Sequence, residues 1–295
     1  MGIDRRTFLK GLGAGIAGTG AAGALLPKKA TATSAPVSDK EFVGILVDTT
    51  RCIGCRSCEK ACAEAHGLPV PDTDDFSIFS ETRRTNAHQL EVVNRYETDK
   101  GEVYVKKQCM HCNQPACVSA CPVKAMEKHD EGAVTWNDNC IGCRYCMTSC
   151  PYDIPKFEHT AFPELHKCDM CYSRTSKGLE PACVEACPAY ALTFGTRREM
   201  IDEANRRIYS DEKNYYHHIY GEHEAGGSGY LYISSVPFEQ IGFRTDIGTT
   251  AYPEYTKGFL YSVPIILLLW PAFMSGIATI TKRKNKIKAE EGGMR

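Results

Sequence analysis

Cysteine is the residue type through which this chain can do chemistry, and its spacing says which chemistry. The 295 residues include sixteen cysteines, which fall into four groups of four. We number these groups as quartets in chain order: Cys52, Cys55, Cys58 and Cys62; Cys109, Cys112, Cys117 and Cys121; Cys140, Cys143, Cys146 and Cys150; Cys168, Cys171, Cys183 and Cys187. Quartets 1 and 3 are spaced C-x2-C-x2-C-x3-C, quartet 2 is C-x2-C-x4-C-x3-C, and quartet 4 has a long insertion between its pairs.

These spacings are typical of iron–sulfur ligation. Three cysteines at every third position cannot all face one side of a helix, but they can line the inside of a tight loop around a cubane cluster. Gly54 and Gly142 stand where the backbone must approach the cluster most closely, which suits a residue without Cβ. In bacterial ferredoxins the fourth cysteine of such a run binds the other cluster of a pair. The sixteen cysteines therefore predict four [4Fe–4S] clusters with no ligand left over.

Other uses of the cysteines fit this spacing poorly. A structural zinc site takes two separated C-x2-C pairs, so the third cysteine of the run would have no role. Four cysteines within eleven residues are badly placed for disulfides. Covalent haem requires a histidine directly after the C-x2-C pair, and the residues at those positions are Arg56, Asn113, Arg144 and Tyr172.

The order of the quartets predicts how they share clusters. Residues 109–150 resemble a complete two-cluster ferredoxin with a hairpin turn at 130–132, so quartets 1 and 4 are left to pair across it. We expect an α+β fold of duplicated two-cluster bacterial-ferredoxin-like units, one inserted in the other, plus one C-terminal transmembrane helix. Exchanging the fourth cysteine within each pair gives these ligand sets: cluster 1, Cys52, Cys55, Cys58 and Cys187; cluster 2, Cys62, Cys168, Cys171 and Cys183; cluster 3, Cys109, Cys112, Cys117 and Cys150; cluster 4, Cys121, Cys140, Cys143 and Cys146.

Both ends of the chain indicate a membrane. Arg5 and Arg6 precede a Gly/Ala/Leu-rich run at 11–26 and a small-residue site at 30–32, the order of a twin-arginine export signal. Residues 259–280 carry no charge, and at 1.5 Å per residue a helix of that length spans a bilayer core of about 30 Å. The basic residues 282–288 that follow place the C-terminus in the cytoplasm. The two signals together predict an inner-membrane protein whose body lies on the periplasmic side.

The charge distribution agrees with this topology. Residues 1–32 and 281–295 each carry +4, which leaves −9 for the middle of a chain whose overall charge is −1. No basic face of the kind that binds nucleic acid is apparent.

The expected segments are a signal peptide at 1–32, the first half of the outer unit with an insertion at 33–108, the inserted unit at 109–160, the second half of the outer unit at 161–200, a docking or wrapping segment at 201–258, the transmembrane helix at 259–280 and a basic tail at 281–295.

Three local patterns lie between the cysteines. Residues 90–106 predict a hairpin that turns at 99–101, and residues 197–208 predict an amphipathic surface helix. Lys106 and Lys107, at the end of that hairpin, read as solvated surface charge. Ala63 follows Cys62 where the other three quartets have proline, and we expect this difference to alter the start of the local helix without removing a ligand.

The quartet layout resembles the iron–sulfur subunits of membrane-bound molybdopterin oxidoreductases and related respiratory complexes. Residues 106–112, 142–147 and 165–168 are similar to the HybA-type subunits of periplasmic [NiFe] uptake hydrogenases, and residues 180–184 and 194–196 to the β subunit of formate dehydrogenase. The exchanged ligand sets agree with what that family uses. The resemblance implies electron transfer from hydrogenase small and large subunits, through four clusters, to a polytopic quinone-reactive membrane subunit. The sequence shows no Ser/His/Asp constellation, phosphate loop or dinucleotide fingerprint, so we expect no catalytic residue in this chain. The alternatives are a formate dehydrogenase or another molybdopterin complex and, more remotely, a structural zinc-binding protein.

Overall fold

The computed structural model describes residues 41–292, except positions 159, 161 and 162. The predicted export signal with Arg5 and Arg6 therefore lies outside the described residues. The strands are β1 (Val43–Asp48), β2 (Val92–Thr98), β3 (Gly101–Lys107), β4 (Met126–Lys128), β5 (Val134–Trp136), β6 (Lys156–Phe157), β7 (Leu165–His166), β8 (Leu192–Thr196) and β9 (Tyr230–Ile233). The α-helices are α1 (Ser57–His66), α2 (Ala116–Ser119), α3 (Tyr145–Ser149), α4 (Tyr172–Thr175), α5 (Ala182–Glu185), α6 (Arg197–Ser210) and α7 (Tyr252–Gly292), with short 3₁₀ turns at Phe76–Ser80, Glu224–Gly226 and Phe238–Ile241.

A three-stranded sheet in the order β8-β1-β9 joins distant parts of the chain. Strand β1 pairs antiparallel with β8, so that Val43 lies opposite Thr196 and Val47 opposite Leu192. The other edge of β1 pairs in parallel with β9, where Ile45 lies opposite Tyr230. Because β1 alternates its side chains between two covered faces, residues 43–47 are all apolar or glycine. The segment at 201–258, expected only to dock or wrap, thus supplies a strand of this sheet.

The two predicted hairpins are confirmed. Strands β2 and β3 pair antiparallel, so that Val92 lies opposite Lys107 at one end and Thr98 lies opposite Gly101 at the turn. Strands β4 and β5 pair antiparallel around the turn at 130–132. Each hairpin approaches one of the cysteine quartets, since β3 runs directly into quartet 2 and β5 leads into quartet 3. The hairpins therefore fix where the cysteine loops begin.

Helix α6 begins at a capping box. The Thr196 hydroxyl accepts from the Glu199 N–H at 3.3 Å, and the Glu199 carboxylate accepts from the Thr196 N–H at 2.9 Å, which satisfies two amides of the first turn. The helix packs Met200 and Ala204 against Leu46 of the sheet. It confirms the helix predicted at 197–208. Because the helix is capped at Thr196, it crosses the segment boundary that we expected at residue 200.

Helix α7 continues from residue 252 to residue 292 and contains Pro264 and Pro271. It is longer than the predicted span at 259–280 and includes the basic residues that follow it. Within the described part of the chain it is the helix long and apolar enough to cross a membrane. Helix α7 contacts helix α2 of quartet 2.

Candidate metal centres

Quartets 1 and 3 fold into the same loop. Gly54 and Gly142 have φ of 71° and 67°, and Arg56 and Arg144 have φ of 59° and 60°. A Cβ on Gly54 would lie 2.4 Å from the Tyr104 ring, so glycine is required there for space as well as for its backbone angle. Two left-handed residues in four turn the chain tightly enough for the three cysteines of the run to point inward.

Quartets 2 and 4 share a second local structure. In each, a Pro-Ala-Cys-Val sequence opens a single-turn helix, with Pro115 before α2 and Pro181 before α5. After the fourth cysteine the chain turns back, with a hydrogen bond of 3.3 Å from Lys124 N–H to Cys121 O, and likewise from Tyr190 N–H to Cys187 O. The turn after Cys150 has the same bond at the same length. The Cys-Pro sequences thus end these helices at the ligand.

Quartet 1 departs from this pattern at Ala63. Helix α1 continues through Cys62 and Ala63 and stops only at the left-handed Gly67, whose N–H caps the end. The expectation that Ala63 alters the start of the helix is therefore wrong. Proline at that position would remove an interior amide hydrogen bond, so its absence lengthens the C-terminal end of the helix instead. Cys62 stays buried.

The cysteines predicted for cluster 1 face one cavity. Cys52, Cys55 and Cys58 of quartet 1 and Cys187 of quartet 4 line the same cavity, together with Lys106. Burial raises the pKa of the Cys52 thiol to about 11, and the neighbouring Cys187 adds to the rise because two thiolates repel each other. Quartets 1 and 4 are thus brought together, and a centre that replaced the four protons by iron would relieve this repulsion.

The cysteines predicted for cluster 2 interact in the same way. Burial raises the pKa of the Cys62 thiol far above its ordinary value, with further contributions from Cys168 and Cys183 of quartet 4. His66, at the end of α1, donates from Nε2 to Asp169 Oδ1 at 2.9 Å and contacts Cys62 O at 2.8 Å through Nδ1. The hydrogen bond with Asp169 raises the pKa of His66.

His66 and Asp169 form a compact group with Cys171, within 4.8 Å of one another. Since both ring nitrogens of His66 are already engaged, we interpret the group as a polar support that fastens α1 to quartet 4 rather than as a separate metal site.

Quartets 2 and 3 are also brought together. Burial raises the pKa of the Cys112 thiol strongly, and Cys109, Cys150 and Cys117 reinforce the rise. Burial raises the pKa of Cys146 to about 11, with contributions from Cys140, Cys143 and Cys121. In each case one partner comes from the other quartet, namely Cys150 for cluster 3 and Cys121 for cluster 4. The exchanged ligand sets are compatible with this geometry and stay a prediction.

The donor atoms fit iron–sulfur clusters. All sixteen cysteines are free thiols, and Cys143 is the one that is exposed. Oxygen and nitrogen ligands are not needed to complete any of the four sets, and thiolate sulfur is the ligand that such clusters prefer. A neighbouring N–H is already directed at one sulfur, from Ala125 to Cys121 Sγ at 3.1 Å. The side chains present could therefore hold the clusters and donate hydrogen bonds to them.

The interpretation of Lys106 as solvated charge is wrong. Its side chain is 2% exposed, forms a buried ion pair with Glu91, and donates to Gln108 Oε1 at 3.1 Å. Burial opposes its charge, but Glu91 keeps the pKa of the Lys106 ammonium well above its usual value. Glu91 directly precedes β2, whose Val92 lies opposite Lys107, so the ion pair joins the two strands of the hairpin. The burial of this pair comes from the packing of the whole fold.

Comparison with known proteins gives the family. Residues 101–197 and 51–125 each match a family model described as a 4Fe-4S dicluster domain. A protein from Nitratidesulfovibrio vulgaris is 46% identical over 98% of this chain and 80% of its own length. The hydrogenase-2 operon protein HybA of Escherichia coli O157:H7 is 32% identical over 99% of this chain and 98% of its own length. The iron–sulfur subunit of the nitrate-inducible formate dehydrogenase of Escherichia coli K12 is 33% identical over 71% of this chain and 75% of its own length.

These matches confirm the resemblance predicted from the cysteine layout. The chain belongs to the family of 4Fe–4S dicluster iron–sulfur proteins that includes HybA and the iron–sulfur subunit of formate dehydrogenase.

Proposed function

We propose that this chain carries four [4Fe–4S] clusters and relays electrons from a periplasmic hydrogenase small subunit to a quinone-reactive integral membrane subunit. The observation that carries the proposal is the cavity shared by Cys52, Cys55, Cys58 and Cys187, because it joins quartets that are far apart in sequence. When bound, such clusters supply one-electron transfer without bond-making on a substrate. The chain's own residues hold the clusters, exclude water from them and fix their spacing.

Two nested ferredoxin-like units would provide that spacing. Support for the outer unit comes from the pairing of β1 with β8 and the packing of α1 on α5, which join quartets 1 and 4. Support for the inner unit comes from the packing of α2 on α3, which joins quartets 2 and 3.

The contacts between ligand sets favour a linear order of the clusters. Cys58 interacts electrostatically with Cys183, which links sets 1 and 2. Cys109 and Cys168 pack together with Ile154 and link sets 2 and 3. Cys117 and Cys146 share a buried apolar cluster and link sets 3 and 4. We infer a single file of clusters in the order 1, 2, 3, 4.

The position of α7 favours one direction along this file. Helix α7 contacts α2, which carries Cys117, a predicted ligand of cluster 3. If α7 crosses the membrane, the inner unit is the one next to it, and clusters 1 and 2 lie further from it. We infer that the outer unit receives electrons and that the inner unit delivers them to the membrane partner.

Cys143→Ser tests the relay in membranes that contain the whole complex. The account predicts loss or alteration of one cluster, strongly reduced hydrogen-dependent quinone reduction, and unchanged reduction of an artificial dye by the catalytic subunit. Tyr145→Phe, in the same loop, is the matched control and should leave all three unchanged. Unchanged quinone reduction in the cysteine variant would reject the relay.

A formate dehydrogenase or another molybdopterin enzyme is the second candidate for the donor. The similarity to the formate dehydrogenase iron–sulfur subunit favours it. Mass spectrometry of the subunits that co-purify with the chain decides between the two donors. Hydrogenase subunits support the first proposal, whereas a molybdopterin subunit supports the second.

The proposed topology has its own test. Arg5→Lys together with Arg6→Lys should leave the folded, cluster-bearing protein in the cytoplasm. Normal export of this double variant, seen by fractionation, would mean that a partner with its own signal carries the chain across.

A further inference from the structure

Three lysines that are buried or half-buried lie among the cysteines, and they differ in how their charge is compensated. Lys106 has the buried carboxylate of Glu91 as its partner. Lys128 and Lys167 have no carboxylate in an ion pair with them anywhere in the described residues. A buried ammonium without an anion is costly, so the two groups require another source of negative charge.

Lys167 is the more deeply buried of the two, at 1% exposure. Its ammonium donates to Cys168 O at 2.9 Å and to Val134 O. It also lies 5.4 Å from the centre of the Trp136 ring. Val134 and Trp136 belong to the apolar cluster that contains Cys117, a predicted ligand of cluster 3. Both acceptors are uncharged backbone carbonyls. Cys168 is a predicted ligand of cluster 2 and Val134 belongs to the inner unit, so the ammonium lies between the two units.

Lys128 approaches the same ligand set. Its ammonium donates to Gly132 O at 2.6 Å and to His111 O at 3.4 Å, and lies 4.8 Å from the centre of the Phe42 ring. His111 lies between Cys109 and Cys112, two predicted ligands of cluster 3. Lys128 thus binds the loop that supplies them. Its charge acts on the thiols of Cys109, Cys112 and Cys117, and that of Lys167 acts on Cys117 and Cys150.

We propose that the half-buried Lys128 and the buried Lys167 are the countercharges of cluster 3 and raise its reduction potential above that of cluster 2. A cluster held by four thiolates carries net negative charge, and one-electron reduction adds another. Two fixed ammonium groups stabilise the reduced form, because net charge is one of the factors that set cluster potentials. The Lys106–Glu91 pair beside the outer unit is neutral overall and provides no such bias.

This inference rests on the proposed ligand sets and deepens the proposed direction of transfer. A higher potential at cluster 3 makes the step from the outer to the inner unit favourable. The lysines would therefore help to move electrons toward the unit that contacts α7. Both ammonium groups act only through their charge on cluster 3, and neither takes part in a chemical step.

Lys167→Met and Lys128→Met test the inference by EPR-monitored redox titration of the purified complex. The signal of cluster 3 is identified as the one whose g values change in Cys112→Ser. In each lysine variant, the ratio of reduced to oxidised cluster 3 at a fixed potential should fall about tenfold, which is about 59 mV for a one-electron couple. In the variant that carries both substitutions, the ratio of reduced to oxidised cluster 3 should fall further. Lys107→Met is the matched control, because that ammonium donates to Gly242 O away from the cysteines, and it should shift no signal.

The outcomes separate the two claims. Four clusters with unchanged potentials in both lysine variants overturn the role of the lysines and leave the relay standing. Fewer than four clusters in the wild-type complex overturn the relay itself. If Lys167→Met does not assemble cluster 3, the less buried Lys128→Met decides alone. Lys167→Arg, which keeps the charge, must then assemble the cluster with a potential close to that of the wild type.

Discussion

The first and third cysteine loops have the same sequence, Cys-Ile-Gly-Cys-Arg, and the same backbone, but different surroundings. Arg56 in the first loop is 1% exposed and donates to Asp72 O at 2.6 Å and to Glu59 Oε2 at 3.2 Å. Arg144 in the third loop is exposed, as is Cys143 beside it. The local sequence therefore fixes the shape of the loop, and the insertion between quartets 1 and 2 decides how far solvent reaches it.

This difference suggests how a duplicated unit acquires two roles. The enclosed loop is held by charges from the insertion, including the contact of Arg83 with Glu59. Both loops present an exposed isoleucine next to their cysteines, Ile141 at 64% in the open loop and Ile53 at 62% in the enclosed one. An exposed apolar side chain beside a cluster is suited to contact with a partner protein. Four changes would break or sharpen the comparison, beginning with the largest expected effect.

Lys106→Met should destabilise the enclosed side most. It leaves the Glu91 carboxylate buried without its partner, and the loss of one member of a buried ion pair costs about 3–5 kcal/mol. The double variant Lys106→Met, Glu91→Gln should recover most of the stability, because it buries no lone charge. Thermal denaturation of the cluster-bearing protein checks both. A single variant as stable as the wild type would show that the pair lies open to water.

Ala63→Pro should come next. It gives quartet 1 the Cys-Pro sequence of the other three, yet it should cost about 3 kcal/mol because the position is inside α1. Pro151→Ala makes the opposite exchange after α3 and should cost much less, since that helix already ends at Cys150. Circular dichroism, which reports helix content, and the denaturation temperature compare the Ala63→Pro and Pro151→Ala variants. Equal losses would contradict the assignment of Ala63 to the helix interior.

Arg56→Ala should destabilise less, by about 1–3 kcal/mol, because Arg83 remains to compensate Glu59. Arg144→Ala, at the same position of the open loop, should change stability by no more than about 0.5 kcal/mol. Comparison of the two denaturation temperatures isolates the effect of enclosure. A similar loss in both variants would mean that the arginine stabilises the loop itself.

Ile141→Ser and Ile53→Ser should leave stability nearly unchanged. Both side chains are exposed, at 64% and 62%. If each loop docks a different partner, Ile141→Ser should weaken association with the membrane subunit and Ile53→Ser association with the catalytic subunit, each by about 1 kcal/mol or fivefold. Co-purification yields at graded salt and detergent report this. Weakening of the same partner by both variants would contradict two separate docking ends.

The parts of the fold that sequence predicted are those fixed locally. The spacing of the cysteines predicts the loops, the turn residues at 130–132 predict the β4–β5 hairpin, and Thr196 with Glu199 begins α6 where periodicity predicts a helix. In each case the interacting residues lie within a few positions of one another, so the local sequence is sufficient to predict the structure.

The parts that sequence missed depend on distant contacts. Strand β9 is a short apolar run, Tyr230–Ile233, and its partner β1 lies far earlier in the chain. Runs of that length fit either a strand or a packed loop. Lys106 lies between Val105 and Lys107 of β3, and its burial and its pairing with Glu91, which directly precedes β2, are visible only in the assembled fold. Burial of this kind is a property of the assembled fold.

The most direct test of the account counts iron in pairs of cysteine variants. The wild-type chain should bind about sixteen iron atoms and Cys187→Ala about twelve. Cys58→Ala with Cys187→Ala should also retain about twelve, because both ligands serve cluster 1, whereas Cys183→Ala with Cys187→Ala should retain about eight. If instead the pair from quartet 4 loses no more iron than the single variant, each quartet binds its own cluster and the exchanged ligand sets are wrong.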